Sequence, residues 1–282
     1  MSHASRGSGL TREIEVAGAR IRWGVRGNAA GHDLLLVHGN GANHSWWNSV
    51  ARNLEDRWRL ILLDLSGHGD SDHRVEYRPD LWVEEVMAVA QAAGSVRPVL
   101  VGHSMGGRVC LAAAAAHPDA IAGLVVLDAS VRPPHLHRDH PTVSRRENRF
   151  YASHDEIVSR FRLLPAQPPA APEIMADLAE HVVVETPLGW TWKYDPQSLM
   201  RFKDSEVDAA TRVLRSPLGY VYGSESVVVD EVLADHVRQI VPSARVVRVD
   251  DAHHHLILDQ PQVCSALIDE MASAFQLTSE LS

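Results

Sequence analysis

Five short, uninterrupted apolar runs constrain most strongly how this chain can fold. Residues 34–37, 60–63, 99–101, 124–127 and 220–222 are Val, Leu, Ile or Tyr throughout, and each run stops at a Gly, His or Asp. A strand that alternates polar and apolar residues keeps one face wet. A continuous run has no wet face and needs cover on both sides, which is the condition of a parallel sheet between two layers of helices. The intervening stretches can supply that cover. Residues 81–93 place Trp82, Val86, Val89 and Ala93 on one helical face, and residues 104–116 are rich in Ala. Strands alternating with helices spell βαβ units with right-handed crossovers. The expected class is therefore α/β, with a mostly parallel central sheet flanked by helices. Upstream, Glu13 to Val16 and Arg20 to Val25 alternate around Ala17-Gly18-Ala19, the pattern of a half-buried hairpin. Residues 244–249 read as a last strand and residues 263–275 as a last amphipathic helix.

The alternation lapses after Asp128. Residues 131–214 carry Pro-Pro at 133–134 and 168–169, charge clusters and helix-like stretches, but no clear apolar strand. They read as an inserted, largely helical cap between two parts of one core, residues 10–130 and 215–277. Phe150, Tyr151, Phe161, Trp190, Trp192 and Tyr194 make the cap dense in aromatics for a chain that is 6% aromatic. Such residues suit either an apolar pocket or a small core of the cap's own. His135, His137 and His140 fall in an Arg- and Pro-rich loop and read as solvated.

Composition narrows the partners. With 27 Lys and Arg against 36 Asp and Glu, the formal charge is -9, which disfavours a nucleic acid or an anionic membrane. A small substrate, apolar or weakly charged, fits better, bound by a monomer or homodimer. Cys110 and Cys264 stand in apolar stretches without CxxC spacing, so neither a zinc site nor a disulfide is expected, and a cytoplasmic setting follows. The polar start lacks an apolar core, and no run of about 18 apolar residues occurs, so neither a signal peptide nor a membrane span is expected.

Chemistry enters at Gly102-His103-Ser104-Met105-Gly106, a G-x-S-x-G pattern between an apolar strand and an Ala-rich helix. A sharp strand-to-helix turn forces Ser104 into strained backbone, tolerable only with small neighbours, and leaves its hydroxyl exposed. The Met105 N–H then points into the same space from a helix N-terminus. The bland alternative is a Gly-rich turn with a capping serine. A serine hydroxyl is a poor nucleophile until a base takes its proton, so a histidine must follow at a strand end. His253-His254-His255 comes directly after the last strand and ahead of Asp259-Gln260-Pro261. A metal site is the other reading of this triplet. Adjacent loop residues rarely aim at one ion, and no carboxylate lies at the helical spacing of known sites, so no metal is expected.

Four motifs together carry a resemblance: His38-Gly39-Asn40-Gly41, Asp64-Leu65-Ser66-Gly67-His68-Gly69-Asp70-Ser71, Gly102-His103-Ser104-Met105-Gly106-Gly107, and the His before Asp259-Gln260-Pro261. Their order over residues 34–261 resembles the α/β-hydrolase fold family, in its serine-nucleophile, esterase- and lipase-like branch with a helical cap. The resemblance implies that His254, five residues before Asp259, is the base, with His253 standing where the family usually has Gly. It implies that Asn40 and Met105 lend backbone N–H groups to an oxyanion hole. It also puts Ser226 where the family usually carries its triad acid, and serine cannot stabilise an imidazolium as a carboxylate does. Asp128, ending the strand after the nucleophile at the carboxyl edge of the sheet, is the preferred substitute, and Glu225 is the alternative. Trp46 and Trp47, after the oxyanion loop, join Trp190 and Trp192 as candidate pocket residues. The Asp64 to Ser71 segment reads as a tight structural loop under the site, with His68 solvated.

The activity these features imply is hydrolysis of a carboxylic ester, lactone or thioester through an acyl-enzyme, without a cofactor. One rival is a carbon–carbon bond hydrolase of the same fold, which would want a Trp directly after the catalytic His, where His255 and Leu256 stand. Another is a non-hydrolytic use of the fold, as a ligand receptor or cofactor-free oxygenase, kept open by Ser226. Epoxide hydrolases and dehalogenases need an Asp nucleophile, and position 104 is Ser.

Overall fold

A hairpin of β1 (Arg12–Val16) and β2 (Ala19–Gly27) opens the chain, as the alternating pattern anticipates. It leads into β3 (Asp33–Val37), the short α1 (Asn48–Ala51), β4 (Arg59–Leu63), α2 (Pro79–Ala92), β5 (Val99–His103), α3 (Met105–Ala116) and β6 (Gly123–Leu127). After the intervening segment come β9 (Leu218–Gly223), α7 (Glu231–Ile240), β10 (Arg245–Val249), α8 (Leu256–Asp259) and α9 (Pro261–Glu280). The computed structural model describes residues 10–138, 147–199 and 202–280, and His140 lies outside them.

These strands form one eight-stranded sheet in the order β1-β2-β4-β3-β5-β6-β9-β10. The β1–β2 and β2–β4 pairs are antiparallel, and the rest are parallel. The period of two in a strand divides each apolar run between two cores. Leu35, Val37, Ile61, Leu63, Leu100 and Val126 pack beneath α2 and α3 with Trp82, Val86 and Val109. Leu34, Leu36, Leu60, Leu62, Val101 and Leu127 face the other way, against Trp47, Ile257 and Ile268. Both faces are thus covered, which is why the runs have no polar member.

Between β6 and β9 the chain forms α4 (His154–Val158), α5 (Pro172–His181) and α6 (Asp204–Arg212), together with an antiparallel hairpin of β7 (Val183–Thr186) and β8 (Gly189–Trp192). The hairpin is absent from the helical reading of this segment. Its strands are only four residues long and carry Glu185, Thr186 and Thr191 among the apolar positions, so no continuous apolar run marks them. Gly189 turns the hairpin at φ 114°, and a Cβ there would meet the Tyr151 carbonyl oxygen at 2.6 Å.

Polar tethers hold this segment to the core. Asp204, buried at the start of α6, accepts from Arg108 on α3 at 2.9 Å and from the Arg138 N–H at 2.9 Å. Tyr77 donates to Asp195 at 2.8 Å, and Gln167 donates to Asp259 at 3.0 Å. Among the described residues no helix is long and apolar enough to cross a membrane.

Candidate active site

The turn from β5 into α3 places Ser104 at φ 54°, ψ −118°, backbone that an L-residue with a side chain holds only under strain. Small neighbours permit it. A Cβ on Gly102 would lie 2.4 Å from the Gly106 carbonyl oxygen, and one on Gly106 would lie 2.2 Å from that of Val37. The Ser104 N–H donates to the Leu127 carbonyl at 2.9 Å, which ties the turn to β6. Met105 opens α3, so its N–H belongs to the first turn, where amides have no partner within the helix.

Asp128 follows β6 directly, is fully buried and sits at φ 47°. Its Oδ1 accepts from His254 Nδ1 at 2.8 Å and from the Ser226 hydroxyl at 2.7 Å, while its Oδ2 accepts from the Gly223 N–H at 3.0 Å. A carboxylate on Nδ1 commits that nitrogen to carry the proton, which leaves Nε2, across the ring, with a lone pair. Ser226 is therefore a donor to Asp128. Glu225, the alternative acid, is exposed, and the carboxylate that His254 Nδ1 meets is that of Asp128.

The three histidines of the triplet separate. His253 turns aside to Asp259, its N–H donating to Oδ2 at 2.8 Å and its Nδ1 lying 3.4 Å from the same oxygen. His254 and His255 both line a cavity of about 630 Å³ together with Ser104 and Asn40. His103 lines it too, a residue that the sequence reading treated only as the variable position of the elbow. Its Nε2 donates to the His254 carbonyl at 2.9 Å. Burial holds the His103 imidazole well below its ordinary pKa and pushes His255 down to about 3, the nearby His254 adding to both shifts.

Aromatics cover the cavity: Trp46, Tyr151, Phe161, Trp192 and Tyr194. Trp47 and Trp190 do not line it. Trp47 is fully buried in the core beside Val50 and Leu54. Trp190 packs with Ile157, Val182 and Val183 in a small core of the inserted segment, edge-on to His154 at 4.9 Å between centroids. Trp190 and Trp192, two residues apart on β8, share a face and both pack against that small core, but only Trp192 also reaches the cavity. No sequence signal separates the four Trp residues, because their neighbours come from distant elements.

The Asp64 to Ser71 loop lies beneath. Asp64 is fully buried and accepts from the backbone N–H of His44 at 2.7 Å and its ring at 2.9 Å, and from the Asp70 N–H at 2.9 Å. Burial opposes its ionisation, but His44, His38 and the amide contact together hold the carboxyl below its usual range. His68 is buried, contrary to the solvated reading, and sits 5.1 Å from the His38 ring with Nδ1 on the Ser66 carbonyl at 3.2 Å. The loop is tight, as the sequence suggests: the Tyr77 ring fills the space beside Gly67, the Asp64 carboxylate that beside Gly69, and Trp82 packs edge-on to His68.

Comparison with known proteins agrees with this architecture. The family model for the alpha/beta hydrolase fold matches residues 34–261. Lipase 1 of Psychrobacter immobilis is 25% identical over 253 residues, covering 84% of this chain and 76% of the lipase. The 2-hydroxymuconate semialdehyde hydrolase of Pseudomonas sp. strain CF600 is 33% identical over 126 residues, 43% of this chain and 44% of that enzyme. Among solved structures, a thioesterase domain from the curacin biosynthetic pathway superposes with a TM-score of 0.77 at 20% identity, covering 91% of this chain and 98% of the domain.

Proposed function

The chain belongs to the α/β-hydrolase fold family, and from that premise we propose that it is a serine hydrolase of carboxylic esters, lactones or thioesters working through an acyl-enzyme. The observation that carries this reading is that Ser104, on a strained elbow, shares a cavity with His254, whose Nδ1 is engaged by buried Asp128. In this reading Ser104 Oγ attacks the acyl carbon while His254 Nε2 takes its proton. Asp128 keeps the imidazole in the required tautomer and stabilises the imidazolium. The backbone N–H groups of Asn40 and Met105 receive the oxyanion, each such donor lowering the barrier by about 3 kcal/mol. Collapse of the tetrahedral intermediate expels the leaving group with the proton from His254. Water then repeats the sequence on the acyl-enzyme, with His254 again as base, and releases the acid.

The aromatic cover supports an apolar acyl or leaving group, and the two arginines that also line the cavity, Arg160 and Arg162, are exposed. A lipase relative over most of the chain supports the ester class. The test is a panel of short and medium p-nitrophenyl esters, lactones and thioesters against wild type and Ser104→Ala, with a fluorophosphonate probe run in parallel. Turnover of one class, with both turnover and labelling lost in Ser104→Ala, is expected. A folded protein that neither turns over any class nor takes the probe would instead favour a ligand receptor on the same fold.

A further inference from the structure

His103, His254 and His255 come from two segments about 150 positions apart and are all buried around one cavity. One ligating nitrogen from each ring lies within 4.8 Å of those of the other two. Hydrogen bonding decides which nitrogens are available. His103 Nε2 faces the His254 carbonyl at 2.9 Å, His255 Nε2 faces the Leu164 carbonyl at 3.1 Å, and His254 Nδ1 faces Asp128 at 2.8 Å. Carbonyl and carboxylate oxygens only accept, so each of these nitrogens carries the proton. The lone pairs then fall on His103 Nδ1, His255 Nδ1 and His254 Nε2. The first two are buried with no hydrogen-bond partner.

Three neutral imidazoles, each donating its far N–H to an oxygen, make the arrangement by which proteins orient histidines on a metal ion. Gly39 keeps the space in front of one of them open, because a Cβ there would lie 3.0 Å from His103 Nδ1 and 3.3 Å from Ser104 Cβ. We propose that His103, His254 and His255 form a three-nitrogen site for a borderline divalent ion of the zinc, copper, nickel and cobalt group, and that the bound ion silences Ser104 by occupying His254 Nε2. Imidazole nitrogens select these ions over Mg²⁺ and Ca²⁺, which take oxygen ligands. Tetrahedral coordination at about 2.05 Å per bond separates ligand nitrogens by roughly 3.3 Å, so the three rings must draw together on binding. The cavity leaves the fourth position to water or to the Ser104 hydroxyl.

The third ligand is what the triplet itself lacks. His253 is turned to Asp259, and His103 replaces it from the elbow. The silencing half of the proposal rests on the serine-hydrolase reading, whereas the binding half does not.

The test separates the two. Binding of Zn²⁺, added as its chloride to the chelator-treated protein, is measured by calorimetry for wild type, His103→Gln, His255→Gln and His253→Gln, with circular dichroism to establish folding. Co²⁺ replaces Zn²⁺ for a visible spectrum, and fluorophosphonate labelling is followed with and without metal. Expected are one Zn²⁺ per wild-type chain, the intense visible bands of four-coordinate Co²⁺, and affinity at least about 10-fold weaker in His103→Gln and in His255→Gln but unchanged in His253→Gln. Labelling should stop with Zn²⁺ and return with a chelator. Absence of binding, binding equally tight in folded His103→Gln or His255→Gln, or labelling indifferent to bound Zn²⁺ would each overturn the proposal. A metal-free protein that never labels would count against the hydrolase reading, while the calorimetry and the Co²⁺ spectrum would still decide the site.

Discussion

The Ser226 hydroxyl donates to Asp128 Oδ1 at 2.7 Å, on the same oxygen that holds His254 Nδ1 at 2.8 Å. The residue standing where the family resemblance expects a carboxylate thus serves a carboxylate supplied by another strand. The same hydroxyl accepts from the N–H groups of Val228 and Val229 at 3.1 and 3.2 Å, so it is fixed in direction.

Removing Asp128 and removing its neighbour should therefore have different sizes. Asp128→Asn is expected to lower kcat by about 10²-fold or more, because the imidazole loses both its tautomer control and its counter-charge. Ser226→Ala removes one of three hydrogen bonds to that carboxylate and should lower kcat by about 10-fold with KM held, and Ser226→Thr should restore most of it. Glu225→Gln, at an exposed side chain, should change kcat less than about 3-fold. Steady-state kinetics on the best ester from the panel checks the ranking. A larger loss in Glu225→Gln than in Asp128→Asn would remove Asp128 from its role.

The two hairpin tryptophans should separate binding from stability. Trp192 lines the cavity and Trp190 does not, so Trp192→Ala should raise KM for an aromatic or long-chain ester about 10-fold. Trp190→Ala should instead cost roughly 2–3 kcal/mol of stability, less than a fully buried Trp because it is half-buried, with KM nearly unchanged. Urea unfolding beside kinetics reads both quantities, and equal KM effects would place both rings against substrate.

Gly106 has no room for a side chain. Its Cβ would lie 2.2 Å from the Val37 carbonyl oxygen and 2.5 Å from that of His38, both main chain. Gly106→Ala is expected to destabilise the fold by about 3 kcal/mol, the upper range of overpacking, or to move α3 off the sheet and abolish turnover. A variant with wild-type unfolding midpoint and rate would show that the elbow tolerates that approach.

His68 makes stability fall in acid. Burial pushes it down to about 3, with His38 and His73 repelling its proton, Asp64 attracting it and the Ser66 carbonyl favouring the charged ring. The unfolded chain takes that proton near pH 6.5 while the folded one does not. Between about pH 6.5 and 3 the unfolded state binds more protons, so stability drops as pH falls, by up to about 1.4 kcal/mol per pH unit for this residue. Urea midpoints measured from pH 7 to pH 4.5 should fall less steeply in His68→Gln. Equal slopes would mean that His68 is protonated inside the fold.

Local pattern was enough for much of this protein. The double-sided apolar runs dictate a covered parallel sheet, because backbone and side chains in each run can be satisfied in no other way. The glycines beside Ser104 dictate a turn tight enough to strain it, and motif order carried the family. These are properties of contiguous residues, set by strand period, helix period and the space around a Cα. Which carboxylate faces His254, which residues wall the cavity and where each histidine lies are set only by tertiary structure. Asp128 and His254 are 126 positions apart, and nothing local distinguishes Asp128 from a capping carboxylate. His68 is buried because Trp82 and His38 close over it, and Trp47 and Trp190 leave the pocket because other elements claim them first. Partners that meet across the sheet's carboxyl edge share no sequence period, so their pairing exists only once the sheet has brought its strand ends together.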